Sequence, residues 1–324
     1  MALCSVYYCG AWGRGFENIP DHALDCIDIF NYSNAAVTLD AVTLNNPEET
    51  KGVKALKERK PEMKIVLSLV GFSDCTDNED DARDAAKRAA HLALEYGFDG
   101  VDLDWEFPTR ENRHMHTVLV KNLREEMGKE RIVSIASPGT NWAFEITELE
   151  ESHKYLDYIN IMTYDVYSER CITSHHSAPR SSKNTPFPCA GLEDNLVLFK
   201  KKGIPARKLI GGAAYYSRIW TEVESAGDGL FAVTEKCADY GPNFYAITED
   251  YIKDGGFEKH RDDSAGGAPW LWNGSTFITY DDEISIAEKC RIVKKHGTGG
   301  MMAWEYALDT EDHRLLHLMR DGLK

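Results

Sequence analysis

The chain has 324 residues, 43% of them hydrophobic, which is long enough for one large domain with an insertion or for two domains. Acidic residues outnumber basic ones, 53 to 37, so the formal net charge is -16, and an acidic surface argues against nucleic acids and anionic membranes as partners. A neutral substrate such as a sugar polymer is left open. No apolar run approaches the roughly 18 residues of a transmembrane helix, so none is expected.

The amino terminus and the cysteines bear on the cellular compartment. Residues 1–8 enter a predicted strand directly and lack the charged segment and apolar core of a signal peptide. The protein is therefore expected in the cytoplasm if Met1 is the native start, and outside the cell if a leader was removed. The eight cysteines have no CxxC spacing or clustered histidines, so zinc is not expected. Free buried thiols are the default, although Cys171 and Cys189 bracket a loop and are able to pair in an oxidising compartment.

Strand-like apolar runs alternate with amphipathic helical runs along almost the whole chain. The predicted strands are residues 3–8, 26–30, 65–69, 100–105, 132–136, 159–163, 209–214 and 299–303, and helical patterns include 80–96, 111–127, 192–202 and 284–296. Crossovers long enough for helices favour parallel pairing, and eight such units predict an α/β fold, a (β/α)8 TIM barrel. A doubly wound open sheet needs a glycine-rich phosphate turn after its first strand, and the glycines at 10, 13 and 15 do not have that spacing.

One connection is out of proportion to the others. Residues 218–280, between the seventh predicted strand and the last predicted helix, are rich in glycine, aromatic and acidic residues. This stretch is too long for a bare loop and too aromatic for a linker. We predict a small α+β insertion between strand 7 and helix 7 that forms one wall of a cleft, with residues 1–217 and 281–324 forming the barrel.

A row of carboxylates stands out in residues 98–108, which read as one strand. Side chains alternate between the faces of a strand, so Asp102, Asp104 and Glu106 are expected on one face. Carboxylates crowded in a partly dry site cannot all ionise, and at least one is held protonated near neutral pH. Glu106, at the carboxyl end where barrels carry their chemistry, is the best candidate for a proton donor.

Two other interpretations fit the acidic row less well. The first is a solvated face of an antiparallel strand, but such a face normally mixes both charge signs. The second is a Mg²⁺ or Ca²⁺ site with oxygen ligands, but neither a phosphate loop nor an Asp-Gly calcium loop accompanies it.

The paired histidines His175 and His176 have no ligand spacing and are predicted to lie in a solvated loop.

Five sequence motifs resemble those of family 18 glycoside hydrolases, the chitinases and their relatives. They are DGVDLDWE (99–106), which resembles the DxxDxDxE signature, MTYD (162–165), YYSR (215–218), GGMMAW (299–304) and YCGAW (8–12). They follow the family's order along nearly the whole chain. The third strand departs from the family's Ser-x-Gly-Gly-Trp, since Val70 and Phe72 replace Gly and Trp at the family's backbone turn and at one of its distal aromatic platforms. Ser217 for Gly is a milder change.

The resemblance implies a retaining reaction in which the substrate's own acetamido group is the nucleophile, without a cofactor. Glu106 would protonate the glycosidic oxygen and later act as base. Asp104 would orient the acetamido N–H and stabilise the developing charge, and Asp102 would share a proton with it. Tyr164 would hold the acetamido group and help distort the sugar at the scissile bond.

The resemblance also implies a set of substrate-binding side chains. Trp304 would form the floor of the site beneath the sugar, because apolar sugar faces stack on flat aromatic rings. The remaining candidates are Asp165, Met162, Tyr216, Arg218, Trp12 and Tyr8.

The sequence therefore predicts a chitinase that acts on chitin or chito-oligosaccharides, most simply as a monomer. Two alternatives remain: an endo-β-N-acetylglucosaminidase that acts on N-glycans, and a non-catalytic chitin-oligomer-binding lectin on the same fold. The presence of Glu106 with Asp104 behind it favours an enzyme over a lectin.

Overall fold

The computed structural model describes residues 2–10, 15–225, 227–253 and 256–324. Eight parallel strands form its central sheet: β1 (Leu3–Cys9), β2 (Ile29–Val37), β4 (Lys64–Gly71), β5 (Gly100–Leu103), β6 (Ile132–Pro138), β7 (Tyr158–Met162), β8 (Leu209–Ala214) and β14 (Gly300–Trp304). Each strand pairs with the next, and β14 pairs back with β1, so the sheet is closed. The predicted TIM barrel is confirmed. A short strand, β3 (Val42–Leu44), pairs antiparallel with the end of β2.

Helices connect the barrel strands, lie in the insertion or follow the last strand. They are α1 (Asp21–Leu24), α2 (Pro47–Thr50), α3 (Val53–Arg59), α4 (Glu79–Glu95), α5 (Arg113–Met127), α6 (Trp142–Ile146), α7 (Leu149–Ser152), α8 (Leu192–Lys201), α9 (Phe244–Ala246), α10 (Glu283–His296) and α11 (Arg314–Leu323). Of these, α9 lies in the insertion and α11 follows the last strand. The long ones begin at side-chain caps where the sequence offers them: Asn78 accepts from two backbone N–H groups of α4, and Asp282 caps α10. Among the described residues, no helix has the length and apolar character needed to cross a bilayer.

Two predicted strands differ from those observed. The strand predicted at 26–30 is β2, which begins only at Ile29, because Cys26 and Ile27 still donate to carbonyls of the preceding helical turn. The strand predicted over 98–108 is only β5, and it ends at Leu103. Asp104 and Glu106 therefore belong to the segment that leaves the barrel. The expected alternation of faces holds for the apolar residues of this stretch. Val101, Leu103 and Trp105 pack in the layer between the barrel and the helices.

The insertion between β8 and α10 is built on a second sheet. Five antiparallel strands form it in the order β10, β9, β13, β12, β11, with bounds β9 (Tyr216–Trp220), β10 (Asp239–Asn243), β11 (Glu258–Asp262), β12 (Ala268–Trp272) and β13 (Phe277–Thr279). Trp220, Trp270, Trp272 and Phe277 form its own small core. The aromatic content that marked this stretch in the sequence thus supplies a packed interior. The sheet begins at Tyr216, two residues before the predicted boundary.

A buried ion pair ties α10 to the barrel. Lys289 Nζ lies 2.6 Å from Asp281 Oδ2 and donates to Ser177 Oγ at 2.7 Å, and both charged side chains are fully buried. Asp281 Oδ2 also accepts from the backbone N–H of Ala214 in β8. The pair therefore connects the last residue of a barrel strand, the loop after β7 and the helix that closes the insertion.

Lys289→Met should reduce the free energy of unfolding by about 3–5 kcal/mol, because it leaves the Asp281 carboxylate buried without its cation. Chemical denaturation followed by circular dichroism measures the change. The matched control is Lys294→Met on the same helix, where the side chain is exposed and a change within about 0.5 kcal/mol is expected. Equal stability of the two variants would contradict a structural role for the pair.

Candidate active site

The carboxyl ends of the barrel strands open into a cavity of about 1550 Å³, larger than the roughly 300–1,000 Å³ of a typical small-molecule pocket. TIM barrels carry their active sites at this end. Side chains from the barrel, from the loop after β7 and from the insertion line it together. The predicted site residues among them are Asp104, Glu106, Met162, Tyr164, Asp165, Tyr216, Arg218 and Trp304. The size suits an extended ligand.

Asp102 lies beneath the cavity, fully buried inside the barrel. Its carboxylate accepts hydrogen bonds from Tyr7 Oη at 2.8 Å, Ser134 Oγ at 2.5 Å and Asn160 Nδ2 at 3.1 Å. Desolvation raises the pKa of Asp102, and these three hydrogen bonds oppose the rise. The group is thus held by donors from three other barrel strands, β1, β6 and β7.

Asp104 and Glu106 form a coupled pair above it. Burial, followed by the charges of Glu106 and Asp102, raises the pKa of Asp104 well above its ordinary value, which favours its protonated form. Asp104 shares a hydrogen bond with Glu106. Partial desolvation raises the pKa of Glu106 as well, although the bond from Asp104 lowers it. Glu106 is exposed to the cavity, so a proton held by the pair can reach a ligand there.

Asp165 is the anionic counterpart of that pair. Arg218 binds it through Nε and Nη2 at 2.6 and 2.7 Å, and Tyr216 Oη donates to it at 2.6 Å. Burial raises its pKa, but the hydrogen bonds from Arg218 and His176 outweigh that effect and hold the pKa of Asp165 well below its ordinary value. The surroundings of Asp165 therefore favour its ionised form, whereas those of Asp104 favour the protonated form.

The prediction of a solvated histidine loop is wrong. His176 is fully buried with Nδ1 3.2 Å from Asp165 Oδ1, and His175 is 5% exposed with Nε2 3.4 Å from Asp262 Oδ2. The loop after β7 turns back under the insertion, so adjacent histidines reach different carboxylates. Periodicity does not predict this, because it depends on where a distant sheet packs.

Aromatic and sulfur-containing side chains form the rest of the floor. Tyr164 is buried, with its hydroxyl 3.7 Å from Met302 Sδ, and Met162 packs in the same cluster. The ring centroid of Trp304 lies 5.5 Å from that of Tyr7. Flat apolar surfaces are thus presented to the cavity beside the acidic pair.

One predicted binding residue, Tyr8, does not line the cavity, and another, Trp12, cannot be placed relative to it. Tyr8 is buried in the layer outside the barrel, and its hydroxyl donates to Glu49 Oε1 at 2.6 Å. Strand alternation puts the preceding residue, Tyr7, inside the barrel instead. Trp12 falls outside the described residues. Phe72, one of the departures noted above, is fully buried and presents no platform.

Sequence reasoning missed Tyr7, Ser134 and Asn160. Each is at an inward-facing position of a strand, and Ser134 is directly paired with Asp102 across β5 and β6. A polar residue inside an apolar strand was the available signal. It also missed two aromatic residues at the cavity rim, Trp142 and Tyr240, which are 44% and 73% exposed.

Metal binding by the acidic row is not supported by the geometry. In the part of the chain that the structure describes, no three His, Cys, Asp or Glu side chains are arranged to hold a metal ion.

Asp165→Asn should move the alkaline limb of the pH–kcat profile to lower pH. The charge of Asp165 raises the pKa of Glu106, so its removal lowers that pKa, and the predicted proton donor would then lose its proton earlier as the pH rises. Tyr216→Phe is the control, because it removes a hydrogen bond to Asp165 but not its charge. If the alkaline limb of Asp165→Asn stays in place or moves to higher pH, the prediction that Glu106 is the proton donor is contradicted.

The sequence and fold were compared with known proteins. The family model Glycosyl hydrolases family 18 matches residues 5–309. Chitinase A1 of Niallia circulans is 31% identical over 296 residues, which are 78% of this chain and 42% of that protein. Chitotriosidase-1 of Mus musculus is 27% identical over 84% of this chain and 64% of its own length. The chain thus spans less than two thirds of either relative.

A solved structure matches over full length in both directions. It is a glycoside hydrolase family 18 N-acetylglucosaminidase from Paenibacillus barengoltzii, 30% identical with a TM-score of 0.93 and complete coverage of both chains. The family match, the sequence relatives and this fold agree with each other and with the motifs. The chain belongs to family 18 of the glycosyl hydrolases.

Proposed function

We propose that this protein hydrolyses β-1,4 bonds between N-acetylglucosamine units in chitin or chito-oligosaccharides, with retention of configuration. The observation that carries the proposal is the stacked row of carboxyl groups: fully buried Asp102, buried Asp104 with its raised pKa, and cavity-exposed Glu106. A proton donor at the mouth of a barrel, backed by a second acid that controls its charge, is what glycosidic cleavage requires.

In the first step, Glu106 donates its proton to the glycosidic oxygen. The acetamido oxygen of the sugar on the non-reducing side attacks the anomeric carbon, the C–O bond breaks, and a cyclic oxazolinium ion forms. Asp104 passes its proton to Asp102, turns away from Glu106, and as a carboxylate accepts a hydrogen bond from the acetamido N–H and stabilises the positive charge; the proton returns to Asp104 when the ring opens. No protein nucleophile is needed, as is expected for family 18 hydrolases.

In the second step, a water molecule opens the oxazolinium ion. Glu106, now a carboxylate, takes a proton from this water and returns to its starting state. The Tyr164 hydroxyl lies 3.7 Å from Met302 Sδ, which is a weak acceptor. Tyr164 is therefore suited to hydrogen-bond the acetamido oxygen. Two attacks on the same carbon give net retention.

Cavity shape supports binding of several sugar units. Trp304 lies on the floor, and Trp142 and Tyr240 stand exposed at the rim, so aromatic faces are available beyond the scissile position. Tyr240 stacks on Arg218, whose Cζ lies 3.6 Å from the ring centroid. That contact holds the ring at the insertion side of the cleft.

A second candidate is an N-acetylglucosaminidase that releases single sugars from chain ends. It is favoured by one observation, the full-length match in both directions to the family 18 N-acetylglucosaminidase. The two candidates share the chemistry above and differ in where the substrate ends.

Products from a chitin hexamer, separated by mass spectrometry over time, distinguish these candidates. Chitinase action yields dimers and trimers early, whereas exo action yields monomers throughout. Proton NMR of the first product should show the β anomer, as retention requires; a first-formed α anomer would contradict the mechanism. Cleavage of a glycoprotein N-glycan with the hexamer left intact would instead identify an endo-β-N-acetylglucosaminidase, and binding without cleavage would identify a lectin.

A further inference from the structure

The cysteines divide into two groups by exposure. Cys171 and Cys237 are exposed, whereas the other six are buried or half-buried. The sulfurs of this exposed pair lie 3.8 Å apart although 66 positions separate them in sequence. The pairing suggested by the sequence, Cys171 with Cys189, is not the one brought together.

The backbone holds the two cysteines opposite each other. Cys171 follows the cavity-lining loop after β7, and Cys237 precedes β10 of the insertion. Hydrogen bonds join the two segments on both sides of the pair: Thr173 N to Ala232 O, Thr234 N to Cys171 O and Ala238 N to Ser168 O, all between 2.9 and 3.0 Å. The Cys237 thiol also donates to Glu169 O at 2.6 Å. A short antiparallel contact therefore fixes the sulfurs at the edge of the cleft.

We propose that Cys171 and Cys237 are a redox modification site, at which exchange with a low-molecular-weight disulfide forms a reversible bond across the cleft rim. One thiolate attacks oxidised glutathione, forming a mixed disulfide and releasing one glutathione thiolate. The second cysteine loses its proton and attacks the first sulfur, which releases the second glutathione. Two electrons pass from the protein thiols to the glutathione disulfide, and two protons are released.

The bond would fasten the loop that lines one side of the cavity to the insertion. Glu169, Arg170 and Cys237 all line the cavity, so the link restrains the rim without occupying the site. Closing a 66-residue loop also removes conformational freedom from the unfolded chain, which raises Tm by a few degrees. A restrained rim should lower KM for chito-oligosaccharides several-fold and leave kcat little changed, since binding then costs less ordering of the loop. This last consequence rests on the proposed function; the bond does not.

The test equilibrates the purified protein in glutathione buffers of graded redox potential and examines it by intact-mass and peptide mass spectrometry. The expected result is loss of two hydrogens and a cross-linked peptide pair containing Cys171 and Cys237. Cys171→Ser and Cys237→Ser should each accumulate one glutathione adduct, because the resolving thiol is missing. Cys189→Ser, which alters a half-buried cysteine elsewhere, should behave as wild type.

Glutathione adducts on both cysteines of the wild type, or free thiols under conditions in which Cys171→Ser forms its adduct, would overturn the proposal. So would a Tm that is equal in the oxidised and reduced forms. A mapped bond with identical KM in both forms would overturn the effect on binding. Failure of both forms to cleave any chito-oligosaccharide would instead count against the proposed function, and the mapped bond would stand.

Discussion

Glu106→Gln should lower kcat on a chromogenic chitobioside by on the order of 10²–10⁴-fold, the usual contribution of a positioned general acid. The amide keeps the size of the side chain and its place beside Asp104, but it has no acidic proton to transfer to the leaving oxygen. Binding of the oligomer should be largely intact, because its other contacts are unchanged. Steady-state kinetics measure the first effect, and calorimetry with a chitin hexamer measures the second.

Glu169→Gln is the matched control for this variant. Glu169 lines the same cavity and is exposed, so the same chemical change is made in the same cleft at a position without a proposed role in proton transfer. Its kcat should stay within about twofold of wild type, as for surface changes that leave the machinery intact. Unchanged turnover in Glu106→Gln would rule out that residue as the acid.

Asp104→Asn is the second change with a large expected effect, a loss of about 10²–10³-fold in kcat, comparable to the loss of one preorganised electrostatic group. In the free protein, burial and the neighbouring carboxyl groups raise the pKa of Asp104 and favour its neutral form, which asparagine imitates. Asparagine cannot become an anion when the oxazolinium charge develops, so the transition state loses more than the bound substrate does. KM should therefore change little, and a full kinetic comparison with wild type separates the two constants.

Asp99→Asn tests whether every acid of the motif takes part in the reaction. Asp99 is the first acid of the DxxDxDxE run, but it precedes β5, at the end of the strand opposite to the cavity. Its carboxylate pairs with Lys57 at 2.7 Å and accepts a hydrogen bond from the Ile65 N–H. We expect a lower Tm and an unchanged kcat for this variant.

A kcat for Asp104→Asn within a factor of three of wild type would contradict the role proposed for Asp104.

The barrel was predictable because its signals are local. Each strand is an apolar run and each long helix an amphipathic one, so their alternation predicts parallel pairing without any knowledge of contacts. The predicted helices match α4, α5, α8 and α10 to within two residues at each end. The insertion was recognised from length and aromatic content, but its strand order was not, because antiparallel pairing such as β9 with β13 depends on turns of irregular length.

Site residues close to a motif were predicted, and those recruited from other strands were not. Asp104, Glu106 and Asp165 were named from the run in which they occur. Ser134 and Asn160 were missed because each is a single polar residue whose partner, Asp102, is more than 30 positions away. Tyr8 was chosen over Tyr7 because the motif includes the former, whereas the direction of each side chain depends on the register of β1 in the barrel.

By itself, the sequence determined the barrel, the family and the order of the acids within one motif, since these follow from periodicity and from residues adjacent in the chain. Tertiary structure alone decided the protonation of those acids. The pKa of Asp104 is raised by burial beside two other carboxyl groups, and that of Asp165 is lowered because Arg218 and His176 reach it from separate segments. Desolvation and charge proximity depend on distance in space, which the order of residues does not record.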